Sequence, residues 1–209
     1  MNDGPVPPRL ILASRSPRRA RLLQDAGYTF QQDDPPFADP PQPQDVRGEP
    51  AEKTALHLAL SKFRSIINDN MLQQTIILTA DTLCVAPGGQ LLGQPGDVIQ
   101  ADTMLHSFQN ATHDVVTGIV LGSADGTVLA TLSDRATVHF GRVSAKQMQA
   151  YLTSGAWRGK AGGYNLFDRQ AAGWPIRVEG DPATVVGLPM RKLIPLLARQ
   201  GIHPGDASP

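Results

Sequence analysis

Residues 10–23 have the sequence LILASRSPRRARLL, and their pattern is the clearest guide to the fold of this chain. Residues 10–14 form a short apolar run typical of a buried strand, and the residues that follow have the apolar spacing of a helix. Ser16 is predicted to cap that helix, and Pro17 suits its first position, where no backbone N–H is needed. Gly27 is the expected residue just beyond its end. The sequence therefore predicts a strand that runs directly into a helix.

A strand that leads into a helix N-terminus presents backbone N–H groups and a partial positive charge, which favour an anion. Ser14 and Ser16 add hydroxyl groups there, and Arg15, Arg18 and Arg19 add guanidinium groups suited to phosphate oxygens. Arginines crowded at this end of a helix are unfavourable unless an anion is present. On these residues alone, a phosphate site and a solvated basic helix end are both open interpretations.

The remaining elements follow in a mixed order of strands and helices, which predicts an α/β fold. Helices are predicted over 51–68, after the cap Asp97 (Val98, Ala101, Leu105 and Phe108 on one face), after the capping box of Ser144 and Gln147, and from Pro189, with Pro195 expected to kink or shorten the last one. Strands are predicted over 75–86, 90–93, 115–124, 127–140 and 176–178, with a hairpin turn at Asp125-Gly126. The segments 33–50 and 156–174 are predicted to be loops, and 180–182 a turn.

Asp81 comes at the end of the apolar run 75–80, and ligands of α/β proteins gather at strand ends. Asp39, in an acidic loop, offers a second carboxylate. Such a pair can hold Mg²⁺ or Mn²⁺ against phosphate oxygens while one member positions water. Lys62 and Lys160 are candidates for further cations, although solvent exposure is the alternative for each. Arginines, lysines and a metal would suffice for phosphoryl-type substitution, which depends on charge neutralisation and in-line positioning.

The composition of the 209 residues narrows the class of protein. Lys+Arg and Asp+Glu both number 19, so no overall positive field exists to recruit DNA or RNA. The single cysteine, Cys84, excludes an intrachain disulfide and a cysteine-based zinc cage, and is predicted to be buried in a strand. No histidine pair has metal-ligand spacing, so His57, His113 and His139 are assigned to packing or to the surface.

Residues 1–9 are polar and proline-rich, without the apolar stretch of a signal peptide, and no apolar run is long enough to span a membrane. We therefore expect a cytoplasmic protein without membrane or nucleic-acid partners. A single domain over 1–209 is expected, with 1–8 and 203–209 as flexible tails.

Five blocks in this sequence resemble the Maf family of nucleoside triphosphate pyrophosphatases. They occur in the family's order and span almost the whole chain: 10–19 followed by Leu22-Leu23, Ala80-Asp81-Thr82, Leu92-Gly93-Gln94-Pro95, Gly159-Lys160-Ala161-Gly162, and Val185-Val186-Gly187-Leu188-Pro189. The resemblance implies an elongated, mixed-sheet α/β structure of the Maf/ITPase-like type, with two lobes around a central substrate groove, commonly as a homodimer.

The resemblance also implies hydrolysis of a nucleoside triphosphate between its α- and β-phosphates, with a divalent metal (Mg²⁺ or Mn²⁺) as cofactor. It makes Asp81 the general base or the carboxylate that orients water, and Asp39 and Asp81 the metal ligands. The substrate-binding residues that it implies are Ser14, Ser16, Arg18, Arg19, Lys62, Thr82 and Lys160, with Arg18 and Thr82 beside the base-selecting region.

Three departures bear on the substrate. Asp39 stands where the family usually has Glu, and Gln94 stands where a Lys is common. The segment 164–170 (YNLFDRQ) replaces the family's Tyr-x-Ile-Gln-Gly, whose Gln helps to choose the base in the pyrimidine-specific branch. Gln170 is the candidate to replace that Gln from a shifted loop.

Arg18 and Thr82 favour the dTTP/UTP branch, whereas Gly180-Asp181-Pro182 is similar to the branch that hydrolyses 7-methyl-GTP. A nucleotide-binding regulator of cell division that has lost catalysis is the third alternative.

Overall fold

The computed structural model describes residues 8–33, 50–67 and 74–206. Its strands are β1 (Arg9–Ala13), β2 (Gln31–Asp33), β3 (Thr75–Val85), β4 (Leu91–Leu92), β5 (Ala111–Ser123), β6 (Val128–Phe140) and β7 (Ile176–Glu179). Its α-helices are α1 (Pro17–Asp25), α2 (Ala51–Ile66), α3 (Val98–Phe108), α4 (Ala145–Ser154), α5 (Leu166–Ala171), α6 (Pro182–Val186) and α7 (Met190–Arg199), with a 3-10 turn at Ala161–Gly163. Within these ranges no helix has the length and apolar character needed to cross a membrane.

All seven strands belong to one mixed sheet. Six of them follow the order β2-β1-β3-β5-β6-β7, and β4 pairs with β3 outside this order. β1 is parallel to both β2 and β3, whereas the pairs from β3 to β7 are antiparallel. The predicted α/β class with a mixed sheet is confirmed.

One edge of β3 is shared by two different strands, and a gap lies between them. The first part of β3 pairs with β1 as far as Leu78, and its end pairs with β4 from Cys84. β5 occupies the opposite edge of β3 from Ile76 to Val85, so β1 and β4 must share the remaining edge. Between them, no described strand pairs with this edge over residues 79–83. Asp81 lies in the middle of that gap.

Alternation along β3 sends neighbouring side chains to opposite faces of the sheet. Helix α2 covers one face so closely that a Cβ on Gly118, the residue opposite Asp81, would lie 2.4 Å from the Ala55 carbonyl carbon. Glycine at 118 therefore permits the close approach of α2. The other face carries α1 and α7, whose Leu23 and Leu193 are fully buried in a common apolar cluster with β3.

A second apolar cluster fills the far end of the sheet, where the ends of β3 and β6 meet α3, α4 and the segment after α4. Aromatic rings make up much of it: Phe108, Phe140, Tyr151, Trp157, Tyr164 and Trp174. The prediction for Cys84 is confirmed, because it is 1% exposed within this cluster on β3. Burial raises the pKa of its thiol to about 12.

Several local predictions are confirmed. Ser16 accepts from the Arg19 backbone N–H, Asp97 caps α3, and Ser144 with Gln147 forms a capping box. The hairpin turn lies at Asp125-Gly126, between β5 and β6.

Other local predictions are wrong. The segment 156–174 is not all loop, since it contains the 3-10 turn and α5, and 182–186 is the short helix α6. β2 ends at Asp33, inside the predicted loop. Val98 does not share the buried face of α3, because it is 47% exposed. Apart from Val98, which lies at the first position of the 11-residue α3, these errors concern short elements, in which tertiary contacts outweigh local pattern.

The last helix and the residues after it are more regular than the sequence predicted. Pro195 does not shorten α7, which continues to Arg199. Within the expected tail 203–209, residues 203–206 are described, and Gly205 donates its N–H to the Gly27 carbonyl oxygen at 2.9 Å. The expectations for 1–7 and 207–209 lie outside the described residues.

Candidate active site

A groove of about 320 Å³ opens at the gap in the sheet edge. Its walls are the start of α1, the middle of β3, the segment around the 3-10 turn, and the end of α6. Every predicted site residue in the described part of the chain lines it: Ser14, Ser16, Arg18, Arg19, Lys62, Asp81, Thr82 and Lys160. Asp39, the remaining predicted residue, lies outside the described residues.

The two serines organise the start of α1. Ser14 Oγ accepts from the Ser16 backbone N–H at 3.2 Å and from Arg19 Nη1 at 3.1 Å. Ser16 Oγ accepts from the Arg19 backbone N–H at 3.4 Å. Both hydroxyl oxygens thus act as acceptors toward the protein, which leaves the hydroxyl hydrogens to donate to an anion. This agrees with the anion-site interpretation of the helix start.

Arg19 joins three parts of the chain. Its Nε donates to the Gly187 carbonyl oxygen at 3.0 Å, its Nη1 to Ser14, and its Nη2 to Thr82 Oγ1 at 3.0 Å. The planar, five-donor guanidinium is suited to this fork of acceptors, whereas an ammonium group is not. Arg19 therefore fixes the helix start to the floor and the far wall of the groove.

Arg18, on α1, reaches across to the segment that carries Lys160, and the two cations line the same part of the groove. Arg18 Nη2 donates to the Gly159 carbonyl oxygen at 3.2 Å, and Lys160 Nζ is hydrogen-bonded to the Ala156 carbonyl oxygen. Burial lowers the pKa of Lys160, and the neighbouring Arg18 lowers it further, while Asp168 acts in the opposite direction. Burial also lowers the pKa of Arg18, again against the influence of Asp168. A cationic wall with partly desolvated charges is well placed to bind an anionic ligand.

Asp81 is the one carboxylate among the described residues that line the groove. It is 5% exposed, and Lys62 Nζ on α2 lies 2.7 Å from its Oδ1, with Lys62 itself 9% exposed. The close approach of α2 at Gly118 brings Lys62, which lies two turns along the helix from Ala55, to this position. A buried carboxylate held by a lysine, across the groove from the cationic helix start, can orient a nucleophile near a bound phosphate.

The donor set suits a divalent cation of the Mg²⁺ type. Such ions keep several waters and are held by one or two carboxylates together with substrate phosphates, not by an all-protein cage. The described residues contain no cluster of three or more metal-ligating side chains, but Asp81 supplies one carboxylate oxygen site in the groove. Asp81 is therefore the described residue of the groove that would hold such a metal, together with substrate phosphates.

The opposite end of the groove is more apolar. Its lining includes Val115, Ala161, Tyr164, Leu166, Val185 and Val186. Val115 lies opposite Cys84, three residues beyond Asp81 on β3 and thus roughly 10 Å along the strand. His113, 2% exposed, pairs with the Tyr164 hydroxyl at 2.8 Å and stacks on Phe108 with ring centroids 4.0 Å apart. A planar ring fits this end better than a phosphate does.

The altered segment 164–170 places Asn165 in the groove. Gln170 is not among the described lining residues, and its amide donates to the Ile176 carbonyl oxygen at 3.0 Å. The idea that Gln170 replaces the family glutamine is therefore wrong. Asn165 Oδ1 accepts from the Phe167 backbone N–H at 3.2 Å, which orients Nδ2 as the amide's donor.

Sequence reasoning missed Thr117, Tyr164 and Gly187 as residues of the site or its support. Gly187 lies in the block 185–189 that resembles the family, and this membership could have indicated a role for it beside Arg19. Nothing in the sequence indicated Thr117. A threonine in a strand does not reveal which residue of the neighbouring strand lies opposite it, and here that residue is Thr82.

Comparison with known proteins agrees with this geometry. The family model described as "Maf-like protein" matches residues 9–200. A dTTP/UTP pyrophosphatase from Rhizobium meliloti (strain 1021) is 36% identical over 202 residues, which cover 96% of this chain and 97% of the relative. Two others with that name, from Salinibacter ruber and Hahella chejuensis, are 38% and 34% identical, covering 88% and 97% of this chain and 87% and 98% of their own lengths.

Among solved structures, a nucleoside-triphosphatase / dITP/XTP pyrophosphatase from Mycobacterium abscessus covers 66% of this chain and 76% of its own, with 14% identity and a TM-score of 0.37. That likeness is too weak to add to the assignment, which rests on the family model and the curated relatives. On those two grounds, the chain belongs to the Maf family.

Proposed function

We propose that this protein hydrolyses a pyrimidine nucleoside triphosphate between its α- and β-phosphates, releasing the nucleoside monophosphate and pyrophosphate. The observation that carries the proposal is the Lys62–Asp81 pair, 2.7 Å apart, at the floor of a groove whose start is lined by Ser14, Ser16 and Arg19. The nearly complete coverage of relatives named dTTP/UTP pyrophosphatase supports the same reaction.

In the proposed reaction the triphosphate lies along the helix start. The hydroxyls of Ser14 and Ser16 donate to its oxygens, and Arg18, Arg19 and Lys160 offset its charge. Asp81, held in place by Lys62, orients a water molecule toward the α-phosphorus. A bond forms between the water oxygen and that phosphorus, the bond to the bridging oxygen breaks, and pyrophosphate leaves with its electron pair. The proton of the water passes to Asp81 and then to solvent.

A divalent metal, Mg²⁺ or Mn²⁺, is part of this proposal. Asp81 would hold it together with the phosphates, and Asp39 is the proposed second ligand. When bound, the metal neutralises phosphate charge and polarises the reacting phosphate. A homodimer is likewise proposed, on the family resemblance alone. The cytoplasmic location expected from the sequence is also part of the proposal.

The preference for a pyrimidine rests on the apolar end of the groove and on Asn165. Its Nδ2 is a fixed donor at the groove wall, and uracil and thymine present a carbonyl oxygen at position 4 where cytosine presents an amine. We therefore propose UTP and dTTP as the preferred substrates. Inosine, guanine and 7-methylguanine nucleotides also carry a ring carbonyl, and they are the comparison that decides between the family branches.

The test is a panel of canonical and modified nucleoside triphosphates with Mg²⁺ or Mn²⁺, assayed for pyrophosphate and orthophosphate separately. We expect pyrophosphate release, fastest with UTP or dTTP. Orthophosphate alone, or no product from any nucleotide, contradicts the proposal. Asp81→Asn is expected to abolish turnover while nucleotide binding survives, and near-normal activity in that variant would remove Asp81 from its role. Binding without turnover by the unaltered protein would instead favour a regulator that has lost catalysis.

A further inference from the structure

A line of hydroxyl groups leads from the groove into the interior of the sheet. It starts at Arg19, whose Nη2 donates to Thr82 Oγ1 at 3.0 Å. Thr82 Oγ1 lies 2.9 Å from Thr117 Oγ1 on the neighbouring strand, where the two threonines are directly opposite each other in register. Thr117 Oγ1 then donates to the Thr184 carbonyl oxygen at 2.8 Å. Four groups are thus joined in sequence from an arginine to a backbone carbonyl.

The direction of every bond in this line follows from its two ends. A carbonyl oxygen only accepts, so the single hydroxyl hydrogen of Thr117 is committed to Thr184. Thr117 must therefore accept from Thr82, and the hydrogen of Thr82 is committed to Thr117. The oxygen of Thr82 is left as an acceptor, which is the role that the Arg19 guanidinium requires.

Thr184, at the buried end of this line, is held in place by a second pair of side chains. The Thr184 hydroxyl donates to Asp134 Oδ2 at 2.5 Å, and Lys192 Nζ on α7 lies 2.5 Å from Asp134 Oδ1. Thr184 and Thr117 are both 0% exposed, and neither is among the residues that line the groove. Thr117 is not itself a lining residue, so its connection to the phosphate end is its hydrogen bond to Thr82, a lining residue that Arg19 also contacts.

We propose that Thr117 is a positioning residue for the phosphate end of the groove. By taking the hydroxyl hydrogen of Thr82, it keeps the Thr82 oxygen facing Arg19, and this sets the orientation of the guanidinium that binds phosphate. The proposal rests on the proposed function for the identity of the ligand. It assigns Thr82 to the support of Arg19, in addition to its position beside the base-selecting region.

The test compares Thr117→Val, which keeps the shape but removes the hydroxyl, with Thr117→Ser, which keeps the hydroxyl. The probe is inorganic pyrophosphate, which has no base, titrated by calorimetry in the presence of Mg²⁺. Thr117→Val is expected to weaken pyrophosphate binding about tenfold, since it disturbs a hydrogen-bonded charged group, and Thr117→Ser is expected to stay within about twofold of the unaltered protein. A purely structural role would lower the melting temperature of Thr117→Val without changing this affinity. The proposal is overturned if Thr117→Val binds pyrophosphate as tightly as the unaltered protein does. It is also overturned if Thr117→Val and Thr117→Ser lose affinity to the same extent.

Thr82→Val tests the same line from its half-buried groove end, and it does so even if Thr117→Val does not fold. It is expected to weaken pyrophosphate binding by a similar factor, and an unchanged affinity overturns the proposal. In a double-mutant cycle, Thr117→Val should have little further effect once Thr82 is valine, because Thr117 acts only through Thr82. Additive losses also contradict the proposal. The calorimetric measurement needs no turnover, so it separates failure of this inference from failure of the proposed hydrolysis.

Discussion

Arg19 Nε donates to the Gly187 carbonyl oxygen at 3.0 Å, and this bond joins the first of the five blocks that resemble the family to the last. A Cβ at position 187, where φ is +121°, would lie 2.9 Å from Arg19 Nε. Glycine is therefore required at 187 both for its backbone conformation and for the space that the guanidinium occupies. The groove is closed on this side by a contact between residues 168 positions apart.

Arg19→Lys is expected to lower kcat/KM for the favoured nucleotide by about 100-fold. One ammonium group cannot donate to Gly187, Ser14 and Thr82 in the fixed geometry of a guanidinium, so the cation is no longer held at the phosphate end. Loss of one charged hydrogen bond to the reacting phosphate, about 2.7 kcal/mol, corresponds to about 100-fold. Steady-state pyrophosphate release measures the effect. Arg21→Lys is the matched control, since the Arg21 side chain is 81% exposed on the same helix. Equal rates in the two variants would contradict the role given to Arg19.

Lys62→Met is expected to destabilise the protein by about 3–5 kcal/mol, because it leaves the carboxylate of Asp81 buried without its cation. Urea unfolding at neutral pH measures the free energy of unfolding. Adding Asp81→Asn to Lys62→Met should recover part of that stability, because the buried charge that Lys62 held is then removed. The double variant should recover no activity. If Lys62→Met alone is as stable as the unaltered protein, the pair does not have the energetic role described.

Asn165→Asp is expected to reduce the ratio of kcat/KM for UTP to that for CTP by about tenfold. Aspartate caps α5 as well as asparagine does, but it replaces the Nδ2 donor with an acceptor. Any general repulsion of the triphosphate by the new charge affects both nucleotides and cancels in the ratio. A ratio that stays constant while both rates fall would place Asn165 outside base selection.

The alkaline limb of the pH profile is expected to begin below the range of an ordinary lysine. Lys160 offsets phosphate charge only when protonated, so kcat/KM is lost as the pH rises through its pKa. Burial and the nearby Arg18 lower that pKa from its ordinary value. In Lys160→Arg the limb should move to higher pH, because a guanidinium stays protonated there. Identical alkaline limbs in the two proteins would show that Lys160 does not control the profile.

His113 is expected to make the protein less stable in mild acid. Burial lowers its pKa to about 4 in the folded protein, against 6.5 for an exposed histidine. The folded state therefore favours the neutral imidazole of His113. The contribution of this preference to the stability of the fold is fully present above pH 6.5, and it is lost as the pH falls from 6.5 toward 4. The difference corresponds to about 3 kcal/mol in the free energy of unfolding.

Urea unfolding of His113→Gln at several pH values between 4 and 7 is the comparison that isolates this residue. Its free energy of unfolding should fall less with pH than that of the unaltered protein, whatever its value at neutral pH. Parallel curves would assign the acid sensitivity to other groups.

Local chemistry made part of this structure predictable. The cap at Ser16, the capping box at Ser144 and the hairpin at Asp125-Gly126 depend on residues within four positions of one another. The segment 156–174 was not predictable in the same way, because α5 has only six residues and one buried side chain, Leu166. Short helices of this kind are stabilised by the structure around them more than by their own sequence.

The strand that runs into α1, the residue types around the anion site and the family could all be predicted from the amino-acid sequence. The contact of Lys62 with Asp81, the reach of Arg19 to Gly187, and the presence of Asn165 rather than Gln170 in the groove could be seen only in the folded chain. The two sets differ in the distance along the chain between the residues involved. Caps, turns and apolar periodicity act between near neighbours, whereas these contacts depend on strand register and on the close packing of α2 over Gly118.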